Sequence, residues 1–308
     1  MRKKYKWAVL ALIIAVLAGC GNKEETVETS PEEVSEDKFA GEWVIDAEYA
    51  ASRVGQENVL FVDSRGEGQA VLGTVKGAIA TTWGDWSIQE GKPGDERWGR
   101  ILEPEELSKV LGGLGITKDK EIILIGETST GWGDDARLLW ELIAAGYTNA
   151  KIVDGGYGAL KAAGVETQLM ASKPEPSEVH VESIDYTHVM TTEKLMENYE
   201  NYKIVDVRAD EEYNGEILYE EAQGGHLPGA IHIRYTDLFK EDGTLKSNAE
   251  LAKMFEDAGL TKEDHIVTYC TGGIRSAYSQ LVLEMCGFEN SYNYDQSFWR
   301  WAVVGEVE

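Results

Sequence analysis

Short apolar runs alternate with stretches of helical periodicity along most of the chain. Each short run predicts a buried strand, and four of them are 59–62, 122–125, 203–207 and 266–269. After the last run, apolar residues recur at the spacing of one helix face: Ile274, Ala277, Tyr278, Leu281, Val282 and Met285. Strands that alternate with helices predict a mainly parallel α/β sheet with helices on both faces, and sites in such sheets form at the carboxyl ends of the strands.

The same pattern occurs twice in the chain. Corresponding segments are 62–65 and 205–208, 77–79 and 229–231, 114–118 and 258–262, 122–125 and 266–269, and 145–149 and 286–290. Units of this length are whole domains rather than solenoid repeats. We therefore predict an N-terminal domain at 41–170 and a C-terminal domain at 187–308, joined by a linker at 171–186 that contains two of the six prolines.

The N-terminus has the pattern of a targeting segment. A basic start is followed by the apolar run 7–18, which is shorter than the roughly 20 residues that span a bilayer as a helix. Residues 1–19 are thus predicted to be a signal peptide, and 20–40 an acidic tether. Leu17-Ala18-Gly19-Cys20 resembles the bacterial lipobox. The resemblance implies lipidation of Cys20 and an extracytoplasmic protein anchored to a membrane of the cell envelope; the alternative is an ordinary secretory signal with a chance cysteine.

Charge narrows the range of partners. The formal net charge is -26, which repels nucleic-acid phosphates, so we expect no nucleic-acid partner. Three cysteines are present. If Cys20 is acylated, Cys270 and Cys286 remain. Cys286 falls in a helix and is predicted to be a small core residue, whereas a free thiol at Cys270 outside the cytoplasm calls for a chemical role.

The segment 266–277 (IVTYCTGGIRSA) is the most informative stretch. Cys270 follows a predicted strand at once, Gly272 and Gly273 allow a tight loop, and a helix begins. Backbone N–H groups in such a loop, together with Arg275, favour a thiolate and lower the cysteine pKa. The alternative interpretation is a buried, inert cysteine at a strand end.

These motifs resemble the rhodanese family. The C-terminal half carries Asp206-Val207-Arg208, then the segment 225–232 (GHLPGAIH), the Cys270 loop, and the segment 294–301 (YDQSFWRW) near the family's terminal Asp-Gly-Ser-Trp pattern. The resemblance implies two tandem rhodanese-like α/β domains, each a mainly parallel sheet flanked by helices. It also implies that the first domain lost its cysteine and helps to wall the cleft. At the corresponding position the N-terminal half has Gly126.

The resemblance further implies a sulfurtransferase with Cys270 as the catalytic nucleophile. Cys270 would take a sulfur atom from a small-molecule donor such as thiosulfate and pass it, as a persulfide, to cyanide or a thiol. Substrate would be bound by Thr271, Gly272, Gly273, Ile274, Arg275 and Arg208. Asp206 and His226 are expected to be structural neighbours of the site, with a structural Asp206–Arg208 ion pair favoured over substrate contact. No cofactor is implied, and no metal, because His226 and His232 have no further ligands.

Several alternatives stay open at this stage. The protein could be a sulfur-binding relay that delivers persulfide sulfur to a membrane-associated protein acceptor without fast turnover. It could be phosphatase-like, although four rather than five residues separate Cys270 from Arg275, which favours sulfur over phosphate. Glu212 lies where thiosulfate enzymes of the family usually carry an arginine. We expect it to repel an anionic donor, with Arg275 replacing the missing charge. Trp83, Trp86, Trp132 and Trp299 are candidates for either the cleft or the core.

Overall fold

The first half of the chain forms a parallel five-stranded sheet. The structure is a computed structural model that describes residues 37–128 and 130–308, so Cys20, the predicted signal peptide and most of the predicted tether lie outside the described residues. The strands of this half are β1 (Val44–Ile45), β2 (Val59–Asp63), β3 (Thr74–Val75), β4 (Ile79–Ala80), β5 (Glu121–Ile125), β6 (Ala150–Val153) and β7 (Thr167–Gln168). The sheet has the order β1-β6-β5-β2-β4, and β3 pairs with β7 as a separate antiparallel ribbon.

The second half repeats this topology. Its strands are β8 (Val189–Met190), β9 (Lys203–Asp206), β10 (Ile231–His232), β11 (Ile266–Tyr269) and β12 (Ser291–Tyr294). They form a parallel sheet of order β8-β12-β11-β9-β10, in which each strand occupies the place of its counterpart in the first sheet. The predicted architecture of two tandem α/β domains is confirmed.

Helices cover both faces of each sheet. Those of the first half are α1 (Ala47–Ser52), α2 (Glu67–Ala70), α3 (Trp83–Trp86), α4 (Pro104–Leu114), α5 (Asp134–Ala144) and α6 (Gly156–Ala162). Those of the second half are α7 (Thr192–Glu197), α8 (Asp210–Tyr213), α9 (Asn248–Asp257), α10 (Ile274–Met285) and α11 (Ser297–Val304), with short 3₁₀ turns at Tyr199–Asn201 and Tyr235–Leu238. No helix in the described part of the chain is long and apolar enough to cross a membrane.

The hydrophobic core runs through both halves. Along β5, Ile122 and Leu124 face one core, while Ile123 and Ile125 face another on the opposite side of the sheet. Both faces are thus buried, as expected for a parallel strand. The larger core continues into the second half, because α5 packs against α10. The two sheets therefore share one apolar interior, with α5 and α10 at its centre.

The predicted linker carries no regular secondary structure. It is nevertheless bound to the first half: the amide of Ser172 donates to the Ala78 carbonyl and that of Ser177 to the Gly112 carbonyl. Val181 is buried as well. The connection between the two halves is therefore anchored on the surface of the first.

Candidate active site at the Cys270 loop

Cys270 lies directly after β11, in the loop that leads to α10. The chain turns at Gly273, whose φ of +82° lies in the left-handed region. A Cβ atom at Gly273 would also overlap the carbonyl oxygen of Asp295, and one at Gly272 would overlap the ring of Trp299. The two glycines are therefore needed both for the turn and for the close approach of neighbouring groups.

The sulfur of Cys270 sits inside this loop and is almost fully buried. The Gly273 amide donates to Sγ at 3.1 Å, and the Ser276 hydroxyl lies 3.7 Å away. Burial by itself raises the pKa of the thiol, but the charge of Arg275 and hydrogen bonds from Ser276 and Gly272 outweigh it, so the pKa of Cys270 is lowered. The loop thus favours the nucleophilic thiolate.

Arg275 forms an ion pair with Glu212. Its guanidinium donates to the two carboxylate oxygens of Glu212 at 2.7 and 2.8 Å and to the Thr271 hydroxyl at 2.8 Å. Burial raises the pKa of Glu212, but Arg275 more than offsets this and the net shift is downward. Glu212 is therefore not a lone charge, and the Arg275 guanidinium is already engaged by it. The repulsion of an anionic donor by Glu212 and the replacement of the missing charge by Arg275 stay predictions. Glu212 and Arg275 form a bidentate ion pair behind the loop.

A cavity of about 40 Å³ opens above the sulfur. The first half contributes Trp83 and Trp132 to its wall, and the second contributes Tyr219, Trp299 and Ile274 beside the loop residues Cys270, Thr271, Gly272 and Arg275. Trp86, the fourth candidate tryptophan, is fully buried in the core, where its Nε1 donates to Thr81. Three of the four tryptophans thus line the site, which is completed by both halves of the molecule.

The comparison with known proteins agrees with this geometry. The family model described as "Rhodanese-like domain" matches residues 46–163 and 191–303. The chain belongs to the rhodanese family. The resemblance noted from the sequence motifs is thereby confirmed.

Two relatives of this rhodanese are provisionally named thiosulfate sulfurtransferases. One, from Mycobacterium leprae, is 28% identical over 86% of this chain and 95% of its own length. The other, from Haloferax volcanii, is 30% identical over 74% of this chain and 80% of its own length. A third relative, the sulfur carrier protein TtuD of Thermus thermophilus, is 30% identical over 67% of this chain and 76% of its own length.

A solved structure shares the fold. The anaerobic ergothioneine biosynthesis enzyme from Chlorobium limicola, in complex with trimethyl histidine, superposes with a TM-score of 0.75. It is 20% identical in sequence, and the match covers 87% of this chain and 70% of that one. At this identity the likeness shows the arrangement of the rhodanese domains and no more.

Arg208, predicted from the rhodanese motif to bind substrate, does not line the cavity. Its guanidinium donates to Asp206 at 2.6 Å and to the Gly225 carbonyl at 2.7 Å, and it stacks on Phe298 at 4.0 Å. The hydroxyl of Tyr269 donates to the same Asp206 carboxylate. The Asp206–Arg208 pair therefore ties loops together beneath the active-site strand, which is the structural role favoured for it.

His226 and His232 lie on either side of one tyrosine ring. Their rings are nearly parallel to that of Tyr213, at centroid distances of 3.9 and 4.3 Å. His226 Nδ1 lies 3.0 Å from the Tyr213 carbonyl and must donate to it. Among the described residues no three His, Cys, Asp or Glu side chains are grouped so that they could hold a metal ion. The two histidines thus stabilise the loop that follows α8.

Sequence reasoning missed Arg137, a residue of the first rhodanese domain that supports the Cys270 loop. Arg137 is fully buried and pairs with Glu141 at 2.7 Å. It also donates to the carbonyls of Gly273, at 3.1 Å, and Gly99, at 2.9 Å. The available signal was an Arg–Glu pair at i and i+4 within the apolar segment 136–144. Arginine and glutamate are rarely buried in such a segment unless each side chain has a charged or hydrogen-bonding partner.

Gln296, which departs from the family's terminal pattern, also connects the two domains. Its side-chain oxygen accepts from Arg100 Nε at 3.0 Å, and its amide donates to the carbonyl of Glu96 at 2.7 Å. The next residue, Ser297, accepts from the Cys270 amide at 3.1 Å. A glycine in place of Gln296 would have no side chain for these interdomain bonds.

The equivalent loop of the first rhodanese domain has no thiol. It runs from Gly126 to Gly133, a left-handed glycine before α5 as Gly273 is before α10. A Cβ at Gly126 would overlap the carboxylate of Asp135. Asp135 is the second residue of α5, where α10 has Arg275. Burial raises the pKa of Asp135 to about 7, and the nearby amide of Ala136 offsets only part of this.

Proposed function

We propose that this rhodanese transfers a sulfane sulfur from a small-molecule donor to a thiophilic acceptor through a persulfide on Cys270. The observation that carries the proposal is the position of the Cys270 sulfur, held by the Gly273 amide at 3.1 Å beneath an open cavity. The names of the relatives from Mycobacterium leprae and Thermus thermophilus support it. One structure of the EanB enzyme is described with a cysteine persulfide on the same fold.

The chemistry consists of two displacements. The Cys270 thiolate attacks the outer sulfur of a donor such as thiosulfate; a new S–S bond forms, and sulfite leaves with the electron pair of the broken S–S bond. An acceptor such as cyanide then attacks the outer sulfur of the persulfide. Thiocyanate is released and the Cys270 thiolate is regenerated, so the enzyme alternates between two covalent states.

The loop stabilises both states with the same groups. Amide N–H bonds of the loop and of the first turn of α10 point toward the sulfur, where they can stabilise a thiolate or a persulfide anion. The Ser276 hydroxyl is held by the Asn293 side chain at 2.7 Å and so keeps its position beside the sulfur. These groups are in place before substrate arrives, which lowers the cost of reorganisation.

The proposal is tested by the intact mass of residues 37–308 with inorganic polysulfide or thiosulfate as donor. We expect the mass of one sulfur atom to be added and then removed by cyanide. Cys270→Ser should add nothing, whereas Cys286→Ser, which alters the other described thiol, should behave as wild type. Failure of every donor to modify Cys270 would refute the proposal.

A sulfur relay is the second candidate, and the sulfur carrier protein among the relatives favours it. The cavity of about 40 Å³ holds only a few water-sized groups, which suits the tip of a partner's cysteine side chain as well as a small free molecule. An enzyme turns over repeatedly with cyanide or small thiols, whereas a relay stays in the persulfide state until its protein acceptor is added. A steady-state assay with small acceptors distinguishes the two. Cys270-dependent hydrolysis of an aryl phosphate would instead support the phosphatase-like alternative.

We also propose that the protein is a lipoprotein, anchored through Cys20 on the extracytoplasmic side of a membrane. The support is the order of a basic start, a short apolar run and Leu17-Ala18-Gly19-Cys20. Expressed in a bacterium, the full chain should partition into detergent, and Cys20→Ser should not. Equal partitioning of the two proteins would refute the anchor.

A further inference from the structure

The cavity above Cys270 presents mainly aromatic surface to a substrate. Trp132 is 47% exposed and stands at its mouth, with its ring edge-on to Tyr219 at a centroid distance of 5.6 Å. Trp299 also lines the cavity and is held by its Nε1, which donates to the Tyr219 carbonyl at 2.7 Å. Fixed rings of this kind bind a flat apolar group with little loss of entropy.

The cavity has little to offer an anion. Among the described residues that line it, Arg275 is the one cationic side chain. Its guanidinium already donates three hydrogen bonds to Glu212 and Thr271. The Glu212 side chain is 1% exposed, so water screens the pair only weakly, and the carboxylate offsets the positive charge that Arg275 presents to a donor.

The charge balance at the sulfur is therefore negative. With Cys270 as a thiolate, the group formed by Cys270, Arg275 and Glu212 carries one net negative charge. A dianion such as thiosulfate would approach this group between aromatic side chains, where the local dielectric is lower than in water and repulsion between like charges is stronger. The net charge of the whole chain, -26, adds long-range repulsion.

We propose that the Cys270 site selects a sulfur donor with an aromatic body and at most one negative charge, and that Glu212 determines this specificity by neutralising Arg275. The inference rests on the proposed function, because it names the donor class for sulfur transfer to Cys270. It assigns Trp132 to binding of the donor's ring. Thiosulfate is then a poor donor even though the thiol is activated.

Three related anions distinguish the effect of an aromatic ring on the rate from the effect of the donor's charge. Benzenethiosulfonate has a ring and one charge, methanethiosulfonate has a methyl group and one charge, and thiosulfate has neither group and two charges. With each, the Cys270 thiolate forms a bond to the outer sulfur, and the bond to the sulfonyl sulfur breaks. The electron pair leaves with benzenesulfinate, methanesulfinate or sulfite, so all three donors leave the same persulfide.

The experiment measures the second-order rate of persulfide formation on residues 37–308 by intact mass. Each rate is divided by that of the same donor with a small free thiolate, which removes the donor's intrinsic reactivity. We expect benzenethiosulfonate to be favoured over methanethiosulfonate, and methanethiosulfonate over thiosulfate. Each step should be at least about 10-fold, equivalent to about 1.4 kcal/mol.

Two variants assign the preference to residues. Glu212→Gln should raise the rate with thiosulfate about 10-fold relative to benzenethiosulfonate, because the positive charge of Arg275 is then no longer offset by a carboxylate. Trp132→Ala should lower the rate with benzenethiosulfonate about 10-fold relative to the rate with thiosulfate. The matched controls are Glu211→Gln, an exposed acid on the same helix, and Tyr186→Ala, an exposed aromatic residue outside the cavity. Neither should change the ratio of rates.

A normalised wild-type rate with thiosulfate that equals or exceeds the benzenethiosulfonate rate would overturn the inference and leave the proposed function intact. So would an unchanged donor ratio in both variants. Circular dichroism checks the fold of Glu212→Gln; if that variant is unfolded, Trp132→Ala on the protein surface decides alone. Failure of all three donors and of polysulfide to modify Cys270 would instead refute the proposed function itself.

Discussion

The Cys270 loop and the Gly126 loop share one backbone plan with opposite chemistry. Each follows the middle strand of its sheet, turns at a left-handed glycine, and leads into the helix at the centre of the shared core. The second residue of that helix is Arg275 in one domain and Asp135 in the other. The arginine stabilises a thiolate, whereas the aspartate fills the space that a cysteine side chain would need. The two domains thus share a fold, and the charge at the second position of this helix differs in sign between them.

The difference also affects stability. Arg275 donates three hydrogen bonds, two to Glu212 and one to Thr271. The Asp135 carboxylate is completely buried and, within the described residues, neither of its oxygens makes a hydrogen bond of good geometry. A buried acid in this state is stable only when protonated. The charges of the Cys270 loop are therefore stabilised by their partners. In the loop without a thiol, the buried acid lowers the free energy of unfolding by an amount that depends on pH.

The largest effect is expected when the nucleophile is moved from one loop to the other. Gly126→Cys combined with Cys270→Ser should lower the rate of sulfur loading roughly 1000-fold or more, as expected when a catalytic nucleophile is removed. The thiol introduced in place of Gly126 should not restore loading, since Asp135 overlaps the new side chain and stands at the helix position that Arg275 occupies in the other domain. Intact mass with polysulfide measures this. Gly126→Cys alone is the control and should still load at Cys270; a persulfide on the introduced thiol would contradict the comparison.

The second effect concerns stability and pH. Below the unfolded pKa of about 3.9, Asp135 is protonated in both the folded and the unfolded chain. Its ionisation then does not affect the free energy of unfolding. As pH rises toward its folded pKa of about 7, ionisation in the unfolded chain removes up to about 4 kcal/mol of stability. Asp135→Asn should therefore lose less stability than wild type between pH 4 and 7. Urea unfolding at several pH values measures this.

The control for that experiment is Glu57→Gln, which alters an exposed acid on the same domain. Its free energy of unfolding should follow the wild-type pH dependence. An Asp135→Asn curve parallel to wild type would show that the carboxylate is not held in the neutral form.

The third effect tests the tight turn. Gly273→Ala should slow sulfur loading by about 100-fold, as expected when a reacting group is misplaced by about 1 Å, because the new Cβ overlaps the Asp295 carbonyl. Gly158→Ala, in open space on α6, is the matched control and should leave the rate unchanged. Rapid-quench mass spectrometry gives both rates; a Gly273→Ala rate equal to wild type would mean that the loop adapts.

The smallest effect isolates the charge of Arg275. Arg275→Gln combined with Glu212→Gln removes both charges and leaves neither unpaired. Iodoacetamide should then alkylate Cys270 several-fold more slowly at pH 7, since the thiol pKa rises without the guanidinium. The rates should converge at alkaline pH. Glu212→Gln alone keeps the guanidinium and should not slow alkylation, whereas an unchanged pH profile in the double variant would assign activation to the loop amides.

The parts of the site that lie close together in the chain were predictable. The order of strand, Cys270, two glycines and helix is local, and apolar runs and glycine spacing report it directly. The doubled α/β architecture followed from the internal repeat. Gly126 could be matched to Cys270 by counting, because the repeat keeps its register up to the end of the middle strand.

The parts that depend on packing between distant segments were not predictable. The pairing of Arg275 with Glu212 joins α10 to α8, and the position of Arg208 depends on the Gly225 carbonyl and Phe298. The support of Gly273 by Arg137 crosses from one domain to the other. A side chain's partner depends on where the backbone brings it, and spacing along the chain does not report that.

The bonds from Arg137 to Gly273 and from Gln296 to Glu96 bear on how the molecule can evolve. A repeated domain without a nucleophile can ordinarily accumulate changes or be deleted at little cost. Here the first domain supports the Cys270 loop of the second domain and supplies Trp83 and Trp132 to its cavity. The two copies are therefore no longer interchangeable modules. A gene fragment that encodes only the second domain would keep Cys270 but lose the bonds that support its loop and part of the wall of its cavity.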